Sequence, residues 1–376
     1  MQARHDTRGP DMRGRDARQC HTHSAKRHTH PVSVGGVAIG GTAPVAVQSM
    51  TNTSTADPAA TLGQIALLAQ AGCEIVRIAV PSAADLGGFE EIVAASPLPV
   101  IADIHFDHRL AVEAARRGAA KLRVNPGNIG DLAGVDAVIE AAGAAGIPIR
   151  IGVNAGSLAK EFADLDIPLA EKLAKSAVAF CEHFESRGFR DIVVSAKAAS
   201  VPASVEAYRL LAGLVPYPLH IGITEAGTVQ AGAVKSAVGL GILLAEGIGD
   251  TMRVSLTADP VEEVRVAWQV LAALDLRRNA PELISCPTCG RCGVDLISIT
   301  REVERRLVGC RAGIKIAVMG CVVNGPGEAR DADIGVAAGR GVGLLFAKGE
   351  PLRKVPEVEI VPALMAEIER FEEQHA

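Results

Sequence analysis

Aromatic residues are scarce in this 376-residue chain: 3% of it is Phe, Tyr or Trp, with a single tryptophan. A core without large rings must be filled by aliphatics, and Ala, Val, Ile and Gly are abundant, as in packed parallel α/β proteins. No apolar run is long enough to span a bilayer. No apolar segment follows the N-terminus, so no secretion signal is expected. Positive charge is not in excess either: the formal net charge is −5, which argues against a generic nucleic-acid binder. A glycine fingerprint for nicotinamide or flavin dinucleotides is also missing. Eight cysteines in a long chain without a secretion signal read as reduced thiols, metal ligands or catalytic groups rather than a disulfide framework. A cytoplasmic protein is expected.

What is present is a rhythm. Short β-branched runs alternate with Ala/Leu-rich helical runs from residue 45 onward. The strand-like runs are "VAVQSM" (45–50), "EIVRIAV" (74–80), "PVIADIHF" (99–106), "KLRVNP" (121–126), "PIRIGVN" (148–154), "DIVVSAK" (191–197), "PLHIGITEA" (218–226) and "TMRVSL" (251–256). Eight such units predict a (β/α)8 TIM barrel. A doubly wound sheet fits less well, because nothing marks a reversal of strand order. Beyond Arg277 the pattern changes to cysteines and Gly-rich strands, "KIAVMGC", "DIGVAAG" and "GVGLLFAKG", which predict a smaller α+β domain. The expected organisation is a disordered, His-rich tail over 1–30, a barrel over 31–276 and a cysteine domain over 277–376.

In a TIM barrel the chemistry sits at the C-terminal ends of the strands. Those ends carry Arg77, Arg123, Arg150, Lys197 and Arg253, with Asp103 and His105 on the third run. Asn125, Asn154 and Glu225 stand at or just past other strand ends. One buried arginine is usually an ion-paired structural residue. Four arginines and a lysine at one rim, facing two or three acids, instead require an anion, and Arg binds phosphate oxygens in a bidentate way. A phosphorylated small molecule is therefore the expected ligand. Glu225 reads equally as a salt-bridge partner of these cations or as a proton donor or acceptor at the reacting carbon.

Five cysteines cluster between 286 and 321. Cys73 and Cys181 lie in apolar barrel segments and read as ordinary buried thiols, and Cys20 lies in the tail. "CPTCGRC" holds a C-x2-C pair extended by Cys292, the start of a ferredoxin-type run. One ligand set is Cys286, Cys289, Cys292 and Cys321; a zinc-ribbon set takes Cys310 in place of Cys292. In a third, the turn in "CVVNGPGE" returns the carboxylate of Glu328 to the metal, leaving an exchangeable position.

Here the sequence resembles the 4-hydroxy-3-methylbut-2-enyl diphosphate synthases of the methylerythritol phosphate route to isoprenoids. The resemblance covers about residues 31–376 and rests on "VQSMTNT", "ADIHFD", "LRVNPGNIG", "IRIGVNAGSL", "LHIGITEAG", "AVGLGILLAEGIGDTMRVSL", "CPTCGR" and "GCVVNGPGEARDADIGV". It implies a 4Fe-4S cluster held by Cys286, Cys289, Cys321 and Glu328, with Cys292 non-essential. It implies reductive opening of 2-C-methyl-D-erythritol 2,4-cyclodiphosphate, with electrons from flavodoxin or ferredoxin. By the same resemblance Arg77, Arg123, Arg150, Lys197 and Arg253 hold the diphosphate, helped by Asn125, Asn154 and Ser255. Glu225 matches the family's acidic residue near the reacting carbons.

The eighth helix, Asp259 to Leu274, runs for roughly 24 Å away from the barrel mouth. The chain therefore enters its cysteine domain on the side opposite the mouth. A head-to-tail homodimer is expected, in which each cysteine domain caps the partner's barrel. Two other readings stay open: a non-redox barrel enzyme with a structural zinc domain, and an iron–sulfur sensor with an inert barrel.

Overall fold

Two short apolar runs flank a Gly-Gly turn near the start of the described residues. They form an antiparallel hairpin, β1 (Val32–Val34) and β2 (Val37–Ile39). Gly35 and Gly36 both take positive φ, +54° and +92°, as a tight two-residue hairpin requires. The computed structural model describes residues 25–125, 127–129, 131–307, 310, 313–321, 329 and 332–375.

Eight parallel strands follow: β3 (Ala46–Met50), β4 (Ile75–Ala79), β5 (Val100–Ile104), β6 (Lys121–Val124), β7 (Ile149–Asn154), β8 (Ile192–Lys197), β9 (His220–Ile221) and β10 (Thr251–Met252). Their order is β8-β7-β6-β5-β4-β3-β10-β9, and a parallel bridge from Val194 to Leu219 closes the ring. Among the described residues nine α-helices alternate with them: α1 (Pro58–Gln70), α2 (Leu86–Ala95), α3 (His108–Arg116), α4 (Leu132–Ala145), α5 (Lys160–Ala163), α6 (Leu169–Ser186), α7 (Val201–Leu214), α8 (Val229–Ala245) and α9 (Pro260–Ala273). This is the TIM barrel that the alternating runs predict. Several helix starts are set locally. Asp57 and Asp259 cap α1 and α9 through backbone N–H groups, each followed by a proline that is pre-shaped for the first turn.

The two-residue period of the strands sorts their side chains. Val76, Ile78, Leu122, Val124, Ile149, Ile151 and Val194 point outward and pack under the helices in one apolar layer. Their neighbours point inward. At the N-terminal end of the lumen Ala46, Ile75, Ile101 and Val193 pack against Val32, Val34 and Ile39 of the hairpin. Each fully buried Val or Ile contributes about 1.5–3 kcal/mol, so the hairpin forms a stable apolar floor. The other end of the lumen is polar.

Residues 25–30, expected as part of a disordered tail, are instead pinned beneath the floor. Lys26 pairs with Asp250 at 3.0 Å, and Arg27 donates to the carbonyl oxygens of Ala212, Val215 and Tyr217. A basic composition looks like a tail when its acceptors are carbonyls brought there only by the fold. Residues 1–24, with Cys20, lie outside the described residues.

The second unit is a five-stranded sheet, β11 (Glu282–Ser285), β12 (Lys315–Met319), β13 (Ile334–Gly339), β14 (Val342–Ala347) and β15 (Glu350–Pro356). The first three strands are parallel and the last three antiparallel. Helices α10 (Leu296–Arg306) and α11 (Ile360–His375) cover the sheet through Ile299, Val303, Val318, Val336, Leu364 and Ile368. The joint between the units is fixed at the barrel floor. Arg277 makes a bidentate contact with Glu74, at 2.8 and 2.9 Å, and donates to the carbonyl of Val45 at 2.7 Å. Val45 and Glu74 precede β3 and β4, so the chain leaves the barrel on the face opposite its polar mouth.

Candidate active site

The inward register that gives the floor its aliphatics gives the mouth its charges. Asp103, Arg123 and Arg150 lie abreast on β5, β6 and β7. Asp103 is nearly buried between two guanidiniums, Arg123 Nη1 at 3.0 Å and Arg77 Nε at 3.7 Å. Burial opposes its ionisation, but Arg77, His105 and Arg123 override this and hold the carboxyl well below the usual carboxylate range. His105 Nε2 lies 2.6 Å from Arg123 Nη1. With its amide turned to satisfy both ends, Asn154 accepts from Arg123 Nη2 at 2.9 Å.

Two glycines make room for the cations. A Cβ on Gly152 would stand 2.7 Å from Arg123 Nε, and one on Gly222 would stand 2.7 Å from Lys197 Nζ. Both glycines are inward positions where any side chain would push a cation out of place.

The cations are poorly satisfied. Arg77 aims Nε and Nη2 at the Met50 thioether, 3.1 and 2.9 Å away, and sulfur is a weak acceptor. Burial brings the Arg77 pKa down to about 10. Arg150 is buried with Nε and Nη1 unpartnered. Lys197 Nζ meets His220 Nε2 at 3.1 Å. Arg253 is paired through Nε and Nη2 with Glu263 at 3.2 and 3.1 Å, and Arg123, though paired with Asp103, leaves Nε unpartnered. Lys121, on β6 below Arg123, is fully buried with Nζ unpartnered. Among the described residues, six basic side chains thus line the lumen and its mouth against two carboxylates, Asp103 on β5 and Glu263, which reaches Arg253 from α9. Such an excess is stable only with an added anion or with lost protons.

The remaining expected residues fall differently. Asn125 is buried and already engaged: its amide donates to Ser157 Oγ at 2.7 Å and accepts from Gly127 N at 3.1 Å, clamping the loops after β6 and β7. Ser255 is half-buried after β10. Glu225 is exposed on the rim, makes no ion pair among the described residues, and holds a φ of +51°, uncommon for a side-chain-bearing residue. Strain of this kind concentrates at functional sites. Lys121, His220 and Glu263 were not anticipated. For Lys121 and His220 the signal was an inward register, which appears only once the strands are aligned; Glu263 comes from α9 and meets Arg253 only through the fold.

In the second unit Cys286 follows β11 and Cys321 follows β12, and these strands are parallel neighbours with Ser285 opposite Val318. Both cysteines therefore follow their strands at one end of the sheet, on adjacent strands, with Cys321 two residues beyond the register partner of Cys286. Cys286 Sγ accepts from the Gly320 amide at 3.2 Å. Cys292 is joined to Cys289 by a backbone bond of 2.9 Å, and its Sγ occupies the space a Cβ on Gly320 would need, 2.6 Å away. Cys310 lies before β12, at the opposite end of a strand about 17 Å long, where its Sγ donates to Glu372 at 2.8 Å. This placement counts against a zinc-ribbon set that includes Cys310. Among the described residues no three His, Cys, Asp or Glu side chains are gathered to hold a metal. Glu328 lies outside the described residues. Soft thiols at Cys286 and Cys321, past neighbouring strand ends, with Cys289 three residues along from Cys286, are a donor chemistry that fits an iron–sulfur cluster.

A family model described as the GcpE TIM-barrel domain matches residues 29–268, and one described as the GcpE protein C-terminal domain matches residues 282–370. The protein named 4-hydroxy-3-methylbut-2-en-1-yl diphosphate synthase (flavodoxin) of Geobacter sulfurreducens is 56% identical over 347 residues, covering 92% of this chain and 98% of its own length. Proteins of the same name from Nitratidesulfovibrio vulgaris and Bacillus subtilis are 53% and 52% identical, over 92% and 94% of this chain and 90% and 94% of their own.

Proposed function

Because the chain belongs to the GcpE family, we propose that it is a 4-hydroxy-3-methylbut-2-en-1-yl diphosphate synthase. It converts 2-C-methyl-D-erythritol 2,4-cyclodiphosphate to (E)-4-hydroxy-3-methylbut-2-enyl diphosphate by two-electron reduction. The observation that carries this reading is the surplus of half-satisfied cations at the mouth of a barrel whose floor is sealed.

A diphosphate entering that mouth meets donors that now face sulfur or nothing. Arg77 turns from Met50, and Arg123, Arg150 and Lys197 contribute further N–H groups. Asp103 fixes the Arg77 and Arg123 planes, so little ordering is required when the ligand arrives. Arg253, Asn125, Asn154 and Ser255 complete the rim. Glu225, exposed and strained on that rim, holds its carboxylate ready to give or take a proton at the reacting carbons.

Cys286, Cys289, Cys321 and Glu328 would hold a 4Fe-4S cluster. When bound, it supplies the electrons and a Lewis-acidic iron. Flavodoxin, which the name of the relatives carries, is the proposed electron donor, with ferredoxin as an equivalent carrier. The Arg277 anchor at the floor supports a head-to-tail homodimer, each cysteine unit capping the partner's mouth. With no helix long and apolar enough to cross a membrane among the described residues, the proposed site of action is the cytoplasm.

Anaerobic purification tests this reading. The protein is expected to be brown, to carry about four iron and four sulfide per chain, and to turn over the cyclodiphosphate with a chemical reductant. A colourless, zinc-loaded protein would overturn it, and iron retention without turnover would favour a sensor.

A further inference from the structure

Two amines in the lumen face no carboxylate. Lys121 opens β6 and points inward, wholly buried, with no hydrogen-bond partner at Nζ. Lys197 closes β8, and its Nζ has His220 Nε2 as its acceptor, while His220 Nδ1 is itself unpartnered. The charged groups acting on them are nearly all positive. Arg77 comes from β4, Arg150 from β7 and Arg253 from beyond β10, with Arg123 on the strand of Lys121 itself. The nearby carboxylates among the described residues are engaged elsewhere, Asp103 of β5 with Arg77 and Arg123, and Glu263 of α9 with Arg253.

An ammonium sealed from solvent without a counter-charge sheds its proton rather than stay charged. Burial, and after it the Arg150 and Arg77 guanidiniums, push Lys121 well below the ordinary lysine range, and burial and the surrounding cations do the same to Lys197. The arginines keep their charge at neutral pH. Lys121 stands two residues deeper than Arg123 on the same strand face, about 7 Å nearer the floor. It therefore acts on a ligand at the mouth through its field and not by touching it.

We propose that Lys121 is a further residue of the anion site, and that the empty barrel keeps Lys121 and Lys197 as neutral amines, so that a diphosphate enters together with protons. Each amine takes one proton from solvent and becomes an ammonium; nothing is oxidised or reduced. His220 stays neutral and positions Lys197 as its hydrogen-bond acceptor. Proton uptake means that affinity for the anion rises as pH falls. This inference rests on the diphosphate reading of the mouth and adds to it a proton inventory.

The test is calorimetric titration of the full-length protein with inorganic pyrophosphate near neutral pH, in buffers of different ionisation enthalpy. Wild type is expected to take up protons beyond those accounted for by the ligand's own ionisation. Lys121→Met, which keeps the chain length without the amine, is expected to bind pyrophosphate several-fold more weakly and with an uptake smaller by up to one proton. Its empty form is expected to melt no lower than wild type, since an unpaired buried amine is gone. His220→Gln, which retains an acceptor, is expected to move the pH at which uptake occurs without abolishing binding. Binding with no extra protons in wild type, a measurement that needs no variant, would overturn the inference and leave the diphosphate reading standing. So would an unchanged uptake in a folded Lys121→Met. Failure of wild type to bind pyrophosphate at all would overturn the diphosphate reading, and this inference with it.

Discussion

In the barrel mouth each charged group is fixed by the strand that carries it, whereas in the cysteine unit the candidate ligands stand just past strand ends. Asp103, Arg123 and Arg150 are abreast before any ligand arrives. Cys286 and Cys321 share one end of a sheet but are not gathered with Cys289 into a metal-holding group among the described residues. The difference is the one that the proposed ligands would require. A diphosphate is small and leaves every turnover, so its donors must be ordered in its absence. A resident cluster organises its own ligands, and its binding energy is part of the folding energy of the segment around it.

The sharpest way to break this comparison is Cys321→Ala. It is expected to remove iron and lower turnover at least about 10³-fold, while pyrophosphate binding by the barrel stays within about twofold. Iron content, turnover and calorimetry on one preparation check this, and a matching loss of pyrophosphate affinity would show that the two sites are not independent. Next in size is Arg123→Met. It leaves Asp103 with one guanidinium fewer and removes an anchor, so kcat/KM is expected to fall about 10²- to 10³-fold, the range for truncating one partner of a buried charged pair. Iron content should not change; if it does, the mouth is not a separate structural unit.

The smallest effect is on stability against acid. The Asp103 carboxyl is held below its unfolded value, so its contribution is complete above the unfolded pKa of about 3.9 and is lost as pH falls through the folded value. The melting-temperature gap between wild type and Asp103→Asn is therefore expected to narrow from about pH 6 to about pH 3.5. A gap that widens in acid would mean that desolvation outweighs the arginines.

Much of this was legible in the sequence because a strand's period of two is visible residue by residue. "EIVRIAV" and "PIRIGVN" show apolar residues on one face and arginine on the other; the succession of eight such runs with helical segments predicted the barrel, and their polar ends its cationic rim. Depth was not legible. Lys121 begins its run, where a lysine reads as a solvated strand end, yet the barrel's stagger draws it inside. His220 was hidden in the same way in "PLHIG". The hairpin carried a signal in its Gly-Gly turn, but the partners that make it a floor, Ile75, Ile101 and Val193, come from distant strands. The ninth strand was expected to continue to residue 226 and stops at Ile221, because Glu225 and Gly227 bend the chain with positive φ. Glu328 was read from a turn motif outside the described residues, so its role rests on the proposed cluster.

The sealed floor has a kinetic consequence. A cup with one opening gives incoming ligand, departing product and expelled water the same doorway. Anything that covers that doorway during chemistry, a neighbouring subunit included, must withdraw once per cycle before the next molecule is admitted. The pace of the enzyme is then bounded by how fast its cover lifts as well as by how fast bonds break.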